Sequence, residues 1–298
     1  MGDSDRELVR SMLREQHPDL ADLDLRLVDG GSDNQLWRLG DDLAVRLPRT
    51  PRAPSLLRNE HQWLPALAPR LPLPVPVPLR IGEPTARFPM PWTVAAWVPG
   101  EPADRAVISR AGHAAETLAA FLGALHENAP TEAPTNPDRG VPLKSVAAGV
   151  EAAFQEFTSD DLAPDTVRAL RAVWQDAVTA PAWEGPPRWL HGDLHPANVL
   201  VDDGTLAGVI DFGEVCAGDP ATDLAAAWLL LPEGGAAPFF DAYGRADGAA
   251  VRRARGWAVR RALDLISVGR AGDLGRPGGK PTWGPAGRGT LDRVLASV

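Results

Sequence analysis

The spacing of apolar and polar residues changes character along this chain, and the changes mark out its elements. Residues near 5–16 read as a helix that ends before His17-Pro18. Leu25–Val28, Leu36–Leu39 and Leu43–Leu47 then read as strands, separated by a tight turn over 29–34 and another over 40–42. Pro54 opens a helical stretch that runs to Leu64 and is stopped by Pro65. The segment from Leu71 to Pro78 alternates proline with aliphatic residues, which excludes helix and central strand and leaves a rigid extended connector. Trp92–Val98 has the pattern of a buried strand and ends at Pro99-Gly100, where a lobe boundary is placed, between 1–98 and 99–298. Beyond it the texture turns helical: 109–127 with Ser109 as N-cap, 145–157, 162–179, 221–230, 236–243 and 248–269. The stretch 272–289 is rich in glycine and proline and reads as loop. A small strand-rich lobe before a larger helical one predicts an α+β fold.

Within the helical half lies a different pattern. His191-Gly-Asp193-Leu-His195-Pro-Ala-Asn198 leads into Val199–Val201, a turn at Asp203-Gly204, then Leu206–Ile210 and Asp211-Phe-Gly213. The two apolar runs around an Asp-Gly turn predict a β-hairpin. A hairpin folds the chain back, so that Asn198 at its start and Asp211 after its end become neighbours. Moving a phosphoryl group to a hydroxyl needs a base for the proton and oxygen ligands that hold Mg²⁺ against nucleotide phosphates. Asp193 suits the first task, and Asn198 and Asp211 the second. Gly-Asp alone is common in turns, and an aspartate after a strand is often a cap. The loop, hairpin and second aspartate together favour the catalytic reading.

Composition narrows the alternatives. The chain has 298 residues, enough for two lobes, and its 44% hydrophobic and 23% charged content is that of a globular protein. No apolar run has membrane-spanning length and the polar, acidic start resembles no signal peptide, so no membrane partner and a cytoplasmic location are expected. A single cysteine, Cys216, excludes an intramolecular disulfide and a multi-cysteine zinc site, and reads as a small buried filler. The net charge of −9 argues against nucleic acid as the main partner and is compatible with a cationic one. Only Lys144 and Lys280 are lysines, so the first hundred residues contain none.

The motifs resemble those of the aminoglycoside phosphotransferase family, small-molecule kinases with a protein-kinase-like fold. The resemblance runs from Ser32-Asp-Asn34-Gln-Leu-Trp-Arg and Leu-Ala-Val-Arg46-Leu-Pro-Arg, through Asn-Glu60-His-Gln-Trp-Leu-Pro and Trp97-Val-Pro-Gly-Glu101. It continues to Leu-His-Gly-Asp193-Leu-His-Pro-Ala-Asn198, Ile-Asp211-Phe-Gly and Gly-Asp219-Pro-Ala-Thr-Asp223. It implies a bilobal fold with a small antiparallel-sheet lobe and a larger, mainly helical lobe. Asp193 would be the catalytic-loop residue, and Asn198 and Asp211 the Mg²⁺ ligands. The purine of ATP or GTP would meet the backbone of a hinge over 93–98, including Ala95, Ala96 and Trp97. The turn over 30–34, with Ser32 and Asn34, would cover the phosphates. Glu60 would pair with a basic strand residue holding the α- and β-phosphates. Kinases of this fold commonly carry lysine at that strand position, where this chain has Arg46. Arginine can contact phosphate and Glu60 bidentately, with a broader head group than an ammonium. His191 and His195 are expected to shape the loop, and Asp219 and Asp223 to buttress it.

The expected activity is nucleotide-dependent transfer of a γ-phosphoryl group to a hydroxyl of a small molecule, with aminoglycosides or other cationic antibiotics among the acceptors and a monomer or homodimer as the assembly. Glu233, Asp241 and Asp264 are candidates to receive ammonium groups. Trp228, Phe239, Phe240, Tyr243 and Trp257 could line a pocket, although core packing suits most of them better. Choline, homoserine and fructosamine kinases use the same kind of loop and stay open as alternatives. A non-catalytic nucleotide-binding scaffold would not need both the base and the metal ligands. A protein kinase would show an Ala-Pro-Glu arrangement after Asp211, which is lacking.

Overall fold

The computed structural model describes residues 2–28, 31, 33–157 and 162–298. The chain forms two units. The first comprises Met1–Pro69, Pro74–Pro99 and Val209–Gly213, and the second Arg70–Leu73, Gly100–Gly208 and Glu214–Val298.

In the first unit, helix α1 (Gly2–Gln16) precedes strands β1 (Leu25–Val28), β2 (Asn34–Leu39) and β3 (Leu43–Pro48). Helix α2 (Ala53–Leu67) and strands β4 (Pro78–Gly82) and β5 (Trp92–Ala96) follow. The strands form one antiparallel sheet in the order β1-β2-β3-β5-β4. Val9, Met12 and Leu13 of α1 meet Leu25, Trp37, Leu39, Val45, Leu47, Trp92 and Val94 of the sheet in one buried cluster. The helical and strand periods thus converge on a single core. Pro65 does not end α2, which continues to Leu67. So close to the C-terminus it forfeits one backbone bond, and the Ala68 amide still reaches the Leu64 carbonyl. The proline-rich connector is followed by a strand that its composition hides. β4 lies at the sheet edge with Pro78 as its first residue and a register shift between Pro78 and Arg80, which is where a sheet tolerates proline.

The second unit contains β6 (Glu101–Pro102), α3 (Ala111–Leu125), α4 (Ala147–Glu156), α5 (Pro164–Thr179), β7 (Arg188–Leu190), β8 (Val199–Asp202) and β9 (Thr205–Val209). After these come β10 (Cys216–Gly218), α6 (Ala221–Leu224), α7 (Ala226–Leu229), α8 (Ala236–Tyr243), α9 (Gly248–Asp273) and α10 (Trp283–Leu295). β6, β8 and β9 make one small sheet, and β7 pairs with β10 in another. The β8–β9 turn has Asp203 at φ 46° and Gly204 at φ 70°, the two left-handed positions that an Asp-Gly hairpin turn requires. Ser109 does not cap α3. The helix starts at Ala111 without a side-chain cap, and the Ser109 amide is instead bonded to the Gly204 carbonyl beside that turn. The expected helix over 221–230 is broken at Ala225 into α6 and α7.

The largest departure is α10, which takes up positions 283–289 at the end of the glycine-rich stretch expected to be loop. Its glycines permit close helix packing. A Cβ on Gly269 of α9 would lie 2.2 Å from the Gly284 nitrogen, and one on Gly287 would lie 2.7 Å from the Ala262 carbonyl oxygen. Tertiary contact therefore overrides weak helix propensity. Among the described residues, no helix is long and apolar enough to cross a membrane.

Candidate active site

The catalytic loop of the second unit is held from beneath by a buried carboxylate. The backbone amides of His191 and Gly192 both donate to Asp223, at 2.7 and 2.9 Å. His126 Nε2 lies 3.3 Å from the same carboxylate, and its Nδ1 is 2.8 Å from the Tyr243 hydroxyl. Gly192 adopts φ +80°, and a Cβ there would sit 2.7 Å from the Glu214 carbonyl oxygen. Glycine is thus required by both backbone angle and space. Asp219 takes a different structural part: it receives Arg253 Nε at 2.7 Å in a buried ion pair and caps the Ala221 amide at 3.0 Å.

This clamp presents Asp193. Its Oδ1 accepts from Arg261 and lies 3.5 Å from Arg139 Nη2. Its Oδ2 faces His195 Nε2 at 3.6 Å and Asn198 Nδ2 at 3.3 Å. Burial would lift the Asp193 carboxyl, but Arg261, His195 and Arg139 outweigh it and hold the group well below the ordinary aspartate value. His195 is buried: its Nδ1 accepts from the Ala197 amide and its ring meets Trp283 edge-on at 4.6 Å. The buried His191 accepts from the Asp193 amide at 3.2 Å. Both histidines shape the loop. Asn198 donates through Nδ2 to the Asp193 carbonyl at 2.9 Å as well, so both of these bonds use its nitrogen and neither uses Oδ1.

The first unit holds the other predicted groups. Arg46 Nη1 donates to Glu60, and its Nη2 lies 3.8 Å from Asp211 Oδ1. Burial pushes the Glu60 carboxyl up to about 7, with Asp211 adding to the rise and Arg46 and the Phe212 amide opposing it. Desolvation works against the Arg46 charge, but Glu60 and Asp211 overcome it and hold the guanidinium above its ordinary value. Both shifts are upward, so Arg46 stays charged and Glu60 is the member of the pair that titrates. Asp211 has φ 64°, an uncommon left-handed setting for a residue with a side chain, and its carboxylate is half-exposed. Ser32 lies outside the described residues. Asn34 is buried at the start of β2, with an Oδ1 that has no partner among the described residues. In the hinge segment, the Ala96 amide already donates to the Val77 carbonyl at 2.9 Å and the Trp97 amide to the Asp42 carbonyl at 2.7 Å. Those two amides are therefore spent within the unit, whereas none of these bonds uses the amide of Val98.

Asn198 of the second unit carries an amide oxygen and Asp211 of the first a carboxylate oxygen, each of a kind that Mg²⁺ takes. Among the described residues, no group of three or more His, Cys, Asp and Glu side chains could hold a metal by itself. Sequence reasoning missed Arg139, Arg261 and His126, because each reaches its carboxylate from a distant part of the chain. Of the acidic candidates, Asp264 lies 3.9 Å from Arg261, whereas Glu233 and Asp241 are exposed. Phe239, Trp228 and Tyr243 are core residues. Cys216 is buried and unpaired, and burial pushes its thiol up to about 12, which suits a filler and not a reactive thiol.

A model of the phosphotransferase enzyme family matches residues 24–263. The chain belongs to this family. A homoserine kinase from Gluconacetobacter diazotrophicus is 31% identical over 198 residues, covering 56% of this chain and 61% of that protein. YcbJ, an uncharacterized protein of Bacillus subtilis, is 35% identical over 102 residues, covering 32% of this chain and 33% of its own length. The chain thus spans one-third to three-fifths of the curated relatives it matches. Among solved structures of the fold, the GDP complex of aminoglycoside 2'-phosphotransferase-IIIa aligns with a TM-score of 0.72 at 22% identity, covering 98% of both chains. Macrolide 2'-phosphotransferase MphH from Brachybacterium faecium aligns with a TM-score of 0.62 at 22% identity, covering 97% of this chain and 98% of that one. The kinase-like α+β fold of the phosphotransferase family is therefore the fold of this chain.

Proposed function

We propose that this phosphotransferase family member is a cytoplasmic, Mg²⁺- and nucleotide-dependent O-phosphotransferase that acts on a hydroxyl of a small molecule. The observation that carries the reading is the presentation of Asp193: a carboxylate fixed by the Asp223 clamp beneath its loop and joined to Asn198. Asp193 receives the acceptor hydroxyl as a hydrogen bond and orients its oxygen toward the γ-phosphorus. The new O–P bond forms as the bond from the γ-phosphorus to the bridging oxygen breaks, and the nucleoside diphosphate leaves with that electron pair. A carboxylate held so far below its ordinary value is a weak base, so Asp193 mainly orients the hydroxyl, and the proton moves to it late. That sequence suits phosphoryl transfer, where positioning and charge stabilisation supply most of the rate.

Arg46, kept in place by Glu60, contacts the nucleotide phosphates, and Asn198 and Asp211 supply the metal ligands. Bound Mg²⁺ would neutralise charge on the phosphate oxygens. Structures of the same fold have been solved with GDP, with ADP and with ATP, which supports a nucleotide as the donor without selecting the base. The acceptors in the names of its relatives (aminoglycoside, macrolide and homoserine) share a hydroxyl and differ in charge and size. The test is incubation of the protein with ATP or GTP, Mg²⁺ and a panel of hydroxyl compounds, with product mass as the readout. A gain of one phosphoryl group on an acceptor is expected. Tight nucleotide binding with no product from any compound would return the chain to the scaffold reading.

A further inference from the structure

A pocket in the second unit is floored by Gly192 and Leu194 of the catalytic loop and walled by Trp257 and three arginines, Arg139, Arg260 and Arg261. The arginines are mostly buried, with side-chain exposures of 15%, 15% and 17%. Arg139 Nε is buried and has no hydrogen-bond partner among the described residues. Arg260 lies over the Trp257 ring at 5.2 Å and is anchored at its far side by the Asp138 carbonyl and carboxylate, at 2.5 and 3.4 Å. Arg261 is engaged with Asp193 itself. Burial and mutual repulsion both act against the charges of Arg139 and Arg260. The acidic groups facing the cluster are Asp193, Asp264, Asp138 and Glu214. Asp193 belongs to the reaction, Asp264 also lines the pocket but is half-exposed and faces Arg261 at 3.9 Å, Asp138 is mostly exposed and is taken up by Arg260, and Glu214 receives Asn136 at 2.7 Å. Three crowded guanidiniums beside the acceptor-orienting carboxylate are a poor setting for an ammonium group and a good one for a carboxylate or phosphate.

We infer that the acceptor carries an anionic group, a carboxylate or a phosphate, close to the hydroxyl that is phosphorylated, and that Arg139 and Arg260 receive it in the Trp257 pocket. The inference rests on the phosphotransferase reading and replaces the cationic acceptor suggested by net charge. Arg261 then has a second task. It screens the Asp193 carboxylate from the incoming anion, so that acceptor and orienting group can approach without repulsion.

The experiment compares matched acceptors with the full chain, Mg²⁺ and ATP or GTP. The anionic set is D-glycerate, 3-hydroxybutyrate and glycerol 3-phosphate, so that carboxylate and phosphate are scored separately. The neutral set is glycerol and methyl 3-hydroxybutyrate, and the cationic set is kanamycin and choline. At least one anionic acceptor should exceed its neutral counterpart by about 30-fold or more in kcat/KM, roughly 2 kcal/mol. Arg139→Gln and Arg260→Gln should each raise the KM of that acceptor by about tenfold with a smaller change in kcat. Arg260→Lys should recover part of the loss, which separates charge recognition from packing. Preference for neutral or cationic acceptors would overturn the inference and leave phosphoryl transfer standing. No product from any acceptor, with nucleotide still bound, would overturn both.

Discussion

Asp223 accepts from two consecutive backbone amides of the catalytic loop, and this makes a residue remote from the reacting atoms decisive for Asp193. Asp223→Ala leaves both amides and His126 without their acceptor in a buried setting. It is expected to lower stability by about 2–5 kcal/mol and to depress kcat, both measurable by thermal denaturation and steady-state kinetics. Arg46 touches Glu60 with one nitrogen and faces Asp211 with the other, which a lysine cannot do. Arg46→Lys should therefore raise the nucleotide KM by about tenfold, equivalent to roughly 1.4 kcal/mol. Glu60 gives the pH dependence of the same pair. Its folded value of about 7 lies above the ordinary 4.5, so the folded state binds the extra proton between them. The contribution of this group to stability is complete below the ordinary value and is lost as pH rises through about 7. Glu60→Gln should accordingly flatten the fall in Tm between pH 5 and pH 8, and an unchanged fall would assign it to other groups. Asp193 has the opposite sign. Its depressed value keeps its ion pairs intact at neutral pH, and their contribution is lost only as pH falls below the ordinary aspartate range. The loop and hairpin that carry Asp193, Asn198 and Asp211 were legible because they lie in one short stretch. Arg261 was not, because 68 residues separate it from Asp193 and nothing local marks the pairing.

At the scale of elements, β1 and the β8–β9 hairpin could be read directly, since alternation and an Asp-Gly turn are local properties. α10 could not. Its glycines are unfavourable for an isolated helix and become an advantage only once α9 lies against them. Gly287→Val would place side-chain atoms into the Ala262 carbonyl and Ile266, and should lower stability by about 1–3 kcal/mol or more, read as a fall in Tm. Trp283, which opens α10, also rests on His195, so part of the loss should appear in kcat. β7 and β10 are each three residues long and pair across the catalytic loop's ends, too short for any periodicity to reveal. β4 was concealed by the prolines before it, because proline signals an edge or a connector and does not distinguish them.

For the whole molecule, the family match over residues 24–263 shows the fold, and charge is the property that a whole-chain sum describes worst. The net charge of −9 suggested a cationic partner, yet the pocket beside the catalytic loop is walled by arginines. Net charge is a sum over the surface and says little about one pocket. The role of Asp193 in orienting an acceptor hydroxyl is read most directly in a single-turnover comparison of wild type with Asp193→Ala, paired with nucleotide titration. The predicted result is a loss of about 10²–10⁴-fold in the rate of transfer with nucleotide affinity retained. Transfer at the wild-type rate by Asp193→Ala would contradict the assignment.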